Sequence, residues 1–180
     1  MTRFIGFAGA IGAGKDLCAE ILGGMAGIPI MAFADPVRWA ASAMFNVPVE
    51  NFLTQEGKAS MNQVWGMTHR DMLRLVGTEM GREVVRPDMW IHNLKQRAKD
   101  RRFVIVSDVR FDDEAAFIRE NGVLVHVSRL HNPYRNAMSS HKSDDGVNQA
   151  MRDYVIFNDS TKLKLRNQIA DILLPFIDNI

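Results

Sequence analysis

The sequence predicts an α/β fold in which a central parallel sheet of about five strands is covered by helices on both faces. Three observations predict it. The apolar run Phe4-Ile5-Gly6-Phe7-Ala8 leads into Gly9-Ala10-Ile11-Gly12-Ala13-Gly14-Lys15-Asp16, which opens the helix-forming stretch from Leu17 to Leu22. The β-branched run 103–107 ends in Asp108, as a buried parallel strand delivering a carboxylate at its C-terminal edge would. Apolar runs at 28–33, 123–127 and 154–157 alternate with helical patterns. Such alternation makes a parallel sheet with right-handed crossovers.

The glycine-rich loop carries the first chemistry. Its Gly-x-x-x-x-Gly-Lys spacing, set between a strand and a helix, is that of a phosphate-binding P-loop. Glycines let successive N–H groups turn inward around phosphate oxygens, and the helix N-terminus adds free donors and the positive end of its dipole. Gly12, Ala13, Gly14, Lys15, Asp16 and Leu17 are therefore the candidate phosphate-binding residues, with Lys15 supplying a mobile cation to the outer phosphates. Asp16 stands where Ser or Thr usually offers magnesium a hydroxyl, and Leu17 offers none either. Asp16 is the candidate magnesium residue, acting through the water shell of the ion.

The remaining elements follow in order. Gly23, Gly24 and Gly27 end the first helix, because glycine is poor inside helices and good just past them. Asp35 is an N-cap and Pro36 a first-turn proline for a helix over 37–45, with Arg38 in its first turn. Residues 46–68 are polar and weakly periodic and read as a mobile connection with one short helix. Thr68 caps a helix that carries His69, Arg70, Met72, Leu75 and Val76 and is broken or kinked at Gly77-Thr78-Glu79. Pro87 opens a helix to about residue 102 with Trp90 on its apolar side. Arg110 lies just beyond Asp108, before a helix ending near Asn121-Gly122. The polar stretch 129–151, too long for a simple turn, reads as a lid bearing Arg129 and Arg135. A closing helix starts at Lys162 and stops at Pro175.

Composition narrows the class. With 180 residues the chain can bury one sizeable core, and a net charge of +1 lacks the basic footprint of a nucleic-acid binder. One cysteine, Cys18, excludes an internal disulfide. No run of 18 apolar residues exists, so no membrane partner is expected; the apolar start after Arg3 lacks an A-x-A-like cleavage site, and the expected location is the cytoplasm. Arginines on a lid above a P-loop point to phosphoryl transfer between two phosphorylated ligands, with water expelled on closure.

Several short motifs now align in order over most of the chain: Gly14-Lys15-Asp16, Ala34-Asp35-Pro36-Val37-Arg38, Thr68-His69-Arg70, Leu75-Val76-Gly77-Thr78-Glu79, Trp90, Ser107-Asp108-Val109-Arg110 with Glu114, His141-Lys142-Ser143 and Asn158-Asp159. In this they resemble the deoxynucleoside monophosphate kinases of bacteriophages. The resemblance implies a P-loop three-layer α/β/α fold built from a core (1–33, 103–128, 152–180), an acceptor-binding helical region (34–102) and a lid (129–151). It implies ATP with magnesium as donor, a deoxynucleoside 5′-monophosphate as acceptor, a monomer or homodimer, and host cytoplasm for a phage-encoded protein. Ile11, Arg38, Arg70, Thr78, Trp90, Asp108, Arg110 and Glu114 match acceptor-site positions, Asn158 an ATP-site position, and Lys15, Asp16, Arg110, Arg129 and Arg135 the catalytic set. A phosphomevalonate kinase-like or dephospho-coenzyme A kinase-like enzyme, or a non-catalytic nucleotide switch, are the alternatives.

Overall fold

Five strands form one parallel sheet in the computed structural model, which describes residues 1–130 and 147–178. The strands are β1 (Arg3–Ala8), β2 (Ile30–Met31), β5 (Phe103–Val109), β6 (Gly122–Ser128) and β7 (Tyr154–Phe157), in the order β2-β5-β1-β6-β7. Strand β1 is central, pairing Phe4 with Val104 of β5 and with Gly122 of β6. After β1 the chain adds strands on one side of it and then, from β6, on the other. Open α/β sheets bind ligands at such a switch point, outside the carboxyl ends of the strands.

The sheet belongs to the first of two units, Met1–Ala32 with Ala98–Ile180; the second is Phe33–Arg97. In the first unit, helices α1 (Lys15–Ala26) and α7 (Lys162–Asp178) cover one sheet face. Ile5, Phe7, Ile105, Val125, Val127 and Ile156 pack there against Cys18, Leu22, Leu165, Ile169 and Leu173. Helix α6 (Asp112–Asn121) covers the other face, where Phe117 meets Phe4 edge-on at 5.0 Å between ring centroids. The three-layer α/β/α expectation holds.

Boundaries differ from the sequence reading in instructive places. Helix α1 runs through Gly23 and Gly24 and ends at Gly27, which takes the left-handed conformation (φ 65°) and caps to the Gly23 carbonyl. A Cβ on Gly23 would meet Ile30 Cδ1 at 3.1 Å, so the residue is small because the strand passes close, not because the helix stops. Strand β2 is only two residues long. Helix α7 passes through Pro175, three residues before its end, where Leu174, Phe176 and Ile177 pack on the core and outweigh the lost backbone bond.

The loop into β7 is held by a buried carboxylate. Asp153 accepts from Arg119 Nε (2.9 Å) and Nη2 (2.6 Å), from the Ala150 N–H (2.7 Å) and from His126 Nε2 (3.0 Å). An ionised carboxylate only accepts, so His126 carries its proton on Nε2.

The second unit is helical. Its α2 (Ala34–Phe45) starts three residues before the expected Val37, which puts Asp35 inside the first turn rather than at the N-cap. Residues 46–68 are ordered rather than a mobile connection. They form a 3₁₀ turn (Val49–Phe52), α3 (Gln55–Ala59) and a two-stranded ribbon of β3 (Met61–Asn62) and β4 (Met67–Thr68). Thr68 does cap α4 (His69–Arg74), in a reciprocal box with Asp71. The chain then widens into a π-helix, Leu75–Val85, instead of breaking at Gly77. Helix α5 is Met89–Arg97, shorter than expected. Among the described residues no helix is long and apolar enough to cross a membrane.

Candidate active site

The loop after β1 has the geometry its sequence demands. Gly9, Gly12 and Gly14 take φ values of 138°, 76° and 99°, a region closed to most side chains. At Gly9 a Cβ would lie 2.3 Å from the Val127 carbonyl, and at Gly14 it would lie 2.3 Å from Asn158 Nδ2. Space and backbone thus both require glycine. The Lys15 ammonium reaches back across the loop and donates to the Gly9 (2.7 Å) and Ala10 (3.0 Å) carbonyls. A cation held there stands at the helix mouth where outer phosphates would be received.

Asn158, expected at the ATP site, supports the loop itself: its Nδ2 donates to the Ala13 carbonyl at 2.9 Å and its N–H to Ser128 O at 2.8 Å. The Leu17 side chain packs on the hydrophobic core, which leaves only its backbone for a nucleotide. Cys18 beside it is fully buried, and burial pushes its thiol up to about 12, so it stays protonated and inert. Asp16 is exposed in the first turn of α1. Among the described residues no three His, Cys, Asp or Glu side chains gather to hold a metal. A lone exposed carboxylate beside a phosphate loop fits an ion that keeps several of its waters.

At the end of β5, Asp108 is buried and Arg110 follows two residues on. Among the described residues no carboxylate pairs the Arg110 guanidinium. Glu114, an expected acceptor contact, has another job: its Oε2 accepts from the Arg110 N–H (2.9 Å) and the Phe111 N–H (3.1 Å). It fixes the turn that presents Arg110, and its oxygen is thereby committed to the backbone. Arg129, just past β6, reaches the Gly12 carbonyl at 3.4 Å through Nη1, a long contact. Arg135, His141, Lys142 and Ser143 lie outside the described residues, as does most of the expected lid.

The other acceptor candidates lie in the second unit. Arg38 Nη1 donates to Asp35 Oδ1 at 3.0 Å, while Arg97 Nη1 donates to Asp35 Oδ2 at 3.1 Å. Arg70 is exposed on α4 and donates to Gln55 Oε1 at 2.9 Å. Beside it the Thr68 hydroxyl holds the Asp71 carboxyl below the usual carboxylate range. Thr78 sits half-buried in the π-helix.

Trp90 is not an open ring. It is 5% exposed, its indole N–H donates to the Gly77 carbonyl at 2.7 Å, and a Cβ on Gly81 would strike its ring at 2.5 Å. The ring props the wide helix that carries Thr78, at a position that the resemblance matches to the acceptor site. Sequence reasoning missed Arg97, since its link to Asp35 spans 62 positions and no local pattern marks it.

The comparisons with known proteins bear on this arrangement. The family model for deoxynucleotide monophosphate kinase matches residues 46–169. A protein of Acanthamoeba polyphaga mimivirus that carries the name of a deoxynucleotide monophosphate kinase is 30% identical over 182 residues, covering 92% of this chain and 93% of its own. The deoxynucleoside-5′-monophosphate kinase of Escherichia phage T5 is 33% identical over 111 residues, 54% of this chain and 44% of its own. Among solved structures, dephospho-CoA kinase from Campylobacter jejuni matches over 100% of both chains with TM-score 0.52 at 13% identity. A gluconokinase from Sinorhizobium meliloti 1021 matches over 98% of this chain and 94% of its own with TM-score 0.51, again at 13% identity. Those two likenesses show the fold alone. The family match and the mimivirus relative go further: this chain belongs to the deoxynucleotide monophosphate kinase family.

Proposed function

We infer that the chain phosphorylates deoxynucleoside 5′-monophosphates to the diphosphates with ATP as donor. The observation that carries this is the loop at the end of β1. Its three left-handed glycines and the back-folded Lys15 make a site for a triphosphate, and family membership supplies the acceptor class.

In the reaction an oxygen of the acceptor phosphate attacks the γ-phosphorus of ATP. The bond to the β,γ-bridging oxygen breaks and ADP leaves. Charge spreads over the three equatorial oxygens and grows on the leaving oxygen, so the protein's task is positioning and electrostatics. Backbone N–H groups from Gly12 to Leu17 cradle the phosphates, and Lys15 holds the charge of the outer ones. Asn158 keeps the cradle in shape through the Ala13 carbonyl. Magnesium bound with ATP supplies charge neutralisation, and Asp16 would hold it through its water shell. Arg110, aimed by the Glu114-capped turn, together with Arg38, Arg70 and Thr78, binds the acceptor, with Asp108 and Ile11 as further contacts. Arg129 and Arg135 stabilise the transferring group. Trp90 acts through the π-helix. Substrates of this kind place the enzyme in the cytoplasm.

The test is incubation with ATP, magnesium and each deoxy- and ribonucleoside monophosphate, with nucleotides resolved by anion-exchange chromatography. Formation of a deoxynucleoside diphosphate together with equal ADP is expected. Absence of a deoxynucleoside diphosphate from every reaction of the panel, whether or not ATP is consumed, refutes the assignment.

A further inference from the structure

We propose that Arg97 is a positioning residue for the acceptor phosphate, acting through Asp35 to keep the charge of Arg38 available. The inference rests on Arg38 being an acceptor contact and deepens that reading.

Three side chains of the helical unit carry it. The carboxylate of Asp35 is divided, Oδ1 taking Nη1 of Arg38 at 3.0 Å and Oδ2 taking Nη1 of Arg97 at 3.1 Å. Arg97 is itself fixed at the end of α5. Its Nε donates to Asn93 Oδ1 at 2.9 Å, and its guanidinium lies 6.0 Å from the centre of the Trp39 ring. The consequence for Arg38 is visible in its own bonding. Asp35 holds it by a single nitrogen, and its solvent-shielded Nε has no hydrogen-bond partner among the described residues. A carboxylate beside an arginine ordinarily takes two donors in a fork, the stronger arrangement. Here the second oxygen is turned to Arg97 instead.

Charge counting gives the function. Asp35 with Arg38 alone is a neutral pair with nothing to offer a dianionic phosphate. Asp35 shared between two arginines leaves the group with a net positive charge, fixed in place at partial burial where screening is weak. Without Arg97, the Asp35 Oδ2 that it now holds can turn to Arg38, complete the fork and cancel its charge. Arg97 therefore raises acceptor affinity without touching the acceptor.

The experiment measures saturation curves for ATP and for the deoxynucleoside monophosphate that the wild type turns over fastest. Arg97→Gln is expected to raise the acceptor KM about tenfold while the ATP KM stays within about twofold. Adding Asp35→Asn to Arg97→Gln should lower the acceptor KM again by at least about threefold, because the competing carboxylate charge is gone. Arg97→Lys, whose ammonium can still reach Asp35, should stay within about threefold of wild type. A purely structural Arg97 predicts a lower melting temperature, an unchanged acceptor KM and no reversal by Asp35→Asn; that pattern overturns the proposal. Should Arg97→Gln not fold, Asp35→Asn alone decides: an acceptor KM at or below wild type supports the proposal, and a tenfold rise overturns it. Arg38→Gln is the control. If it leaves the acceptor KM unchanged, Arg38 is not an acceptor contact and the underlying reading fails; if it raises that KM while Arg97→Gln does not, only the present proposal fails.

Discussion

Asp153→Asn should weaken the fold in a manner that depends on pH. The Asp153 side chain is 1% exposed and receives bonds from Arg119, His126 and the Ala150 N–H. Burial alone pushes its carboxyl up, but the Arg119 guanidinium, the Ala150 N–H and His126 together hold it down, from 3.8 to about 2. Removing one partner of a buried ion pair costs about 3–5 kcal/mol, and Arg119, 14% exposed, argues for the lower end. At roughly 2–4 °C per kcal/mol for a chain of this size, about 3 kcal/mol lowers the melting temperature by about 6–12 °C at pH 7. The sign of the pH effect follows from a depressed carboxyl. Its stabilisation is complete above the unfolded value near 4 and is lost as pH falls through about 2. The shift is worth roughly 2–3 kcal/mol in all, and about half of it survives at pH 3. The gap between wild type and Asp153→Asn should therefore narrow from pH 7 to pH 3. Melting followed by circular dichroism at both pH values is the assay. Equal melting temperatures at pH 7, or a gap that does not change, would refute the reasoning.

Three further outcomes concern turnover. Lys15→Met should reduce kcat by some hundredfold or more, as loss of a group worth about 3–4 kcal/mol at developing charge implies; wild-type kcat in single-turnover assays would remove Lys15 from the mechanism. Arg110→Lys should raise the acceptor KM and lower kcat, an effect of about 2–3 kcal/mol on kcat/KM, with the ATP KM nearly constant. Steady-state curves for each substrate beside a melting curve check it, and an early-melting variant with a normal acceptor KM counts against the assignment. Asp16→Ala should need more magnesium than Asp16→Ser for half-maximal rate, and superimposable magnesium titrations of both variants and wild type would exclude Asp16 as a magnesium group.

The phosphate loop could be read from the chain because every requirement it meets is local. Gly9, Gly12 and Gly14 must tolerate positive φ, Lys15 must follow at the helix mouth, and all lie within seven residues. The same holds for β5, β6 and the Thr68 cap, where a run of residue types or a single side chain three positions from its partner decides the outcome. Membership of the kinase family was legible too, from motifs in fixed order. What the chain could not disclose depends on who sits opposite. Gly23 and Gly24 look like a helix stop until Ile30 is seen to pass close to Gly23, and Pro175 looks like another until the core holds the last turn of α7. Trp90 reads only as an apolar-side residue matched to an acceptor-site position; that it packs against Gly77 and Gly81 appears only in the fold. That two backbone N–H groups also hold Glu114 Oε2 is likewise seen only in the fold. Most of all, Arg38 is an ordinary arginine in sequence. Only the fold sets Arg97, 59 residues later in the chain, on the same carboxylate. The division has one physical cause: dihedral preferences and caps act over a few residues and are written locally, whereas burial and charge pairing act through space and exist only once the chain has closed on itself.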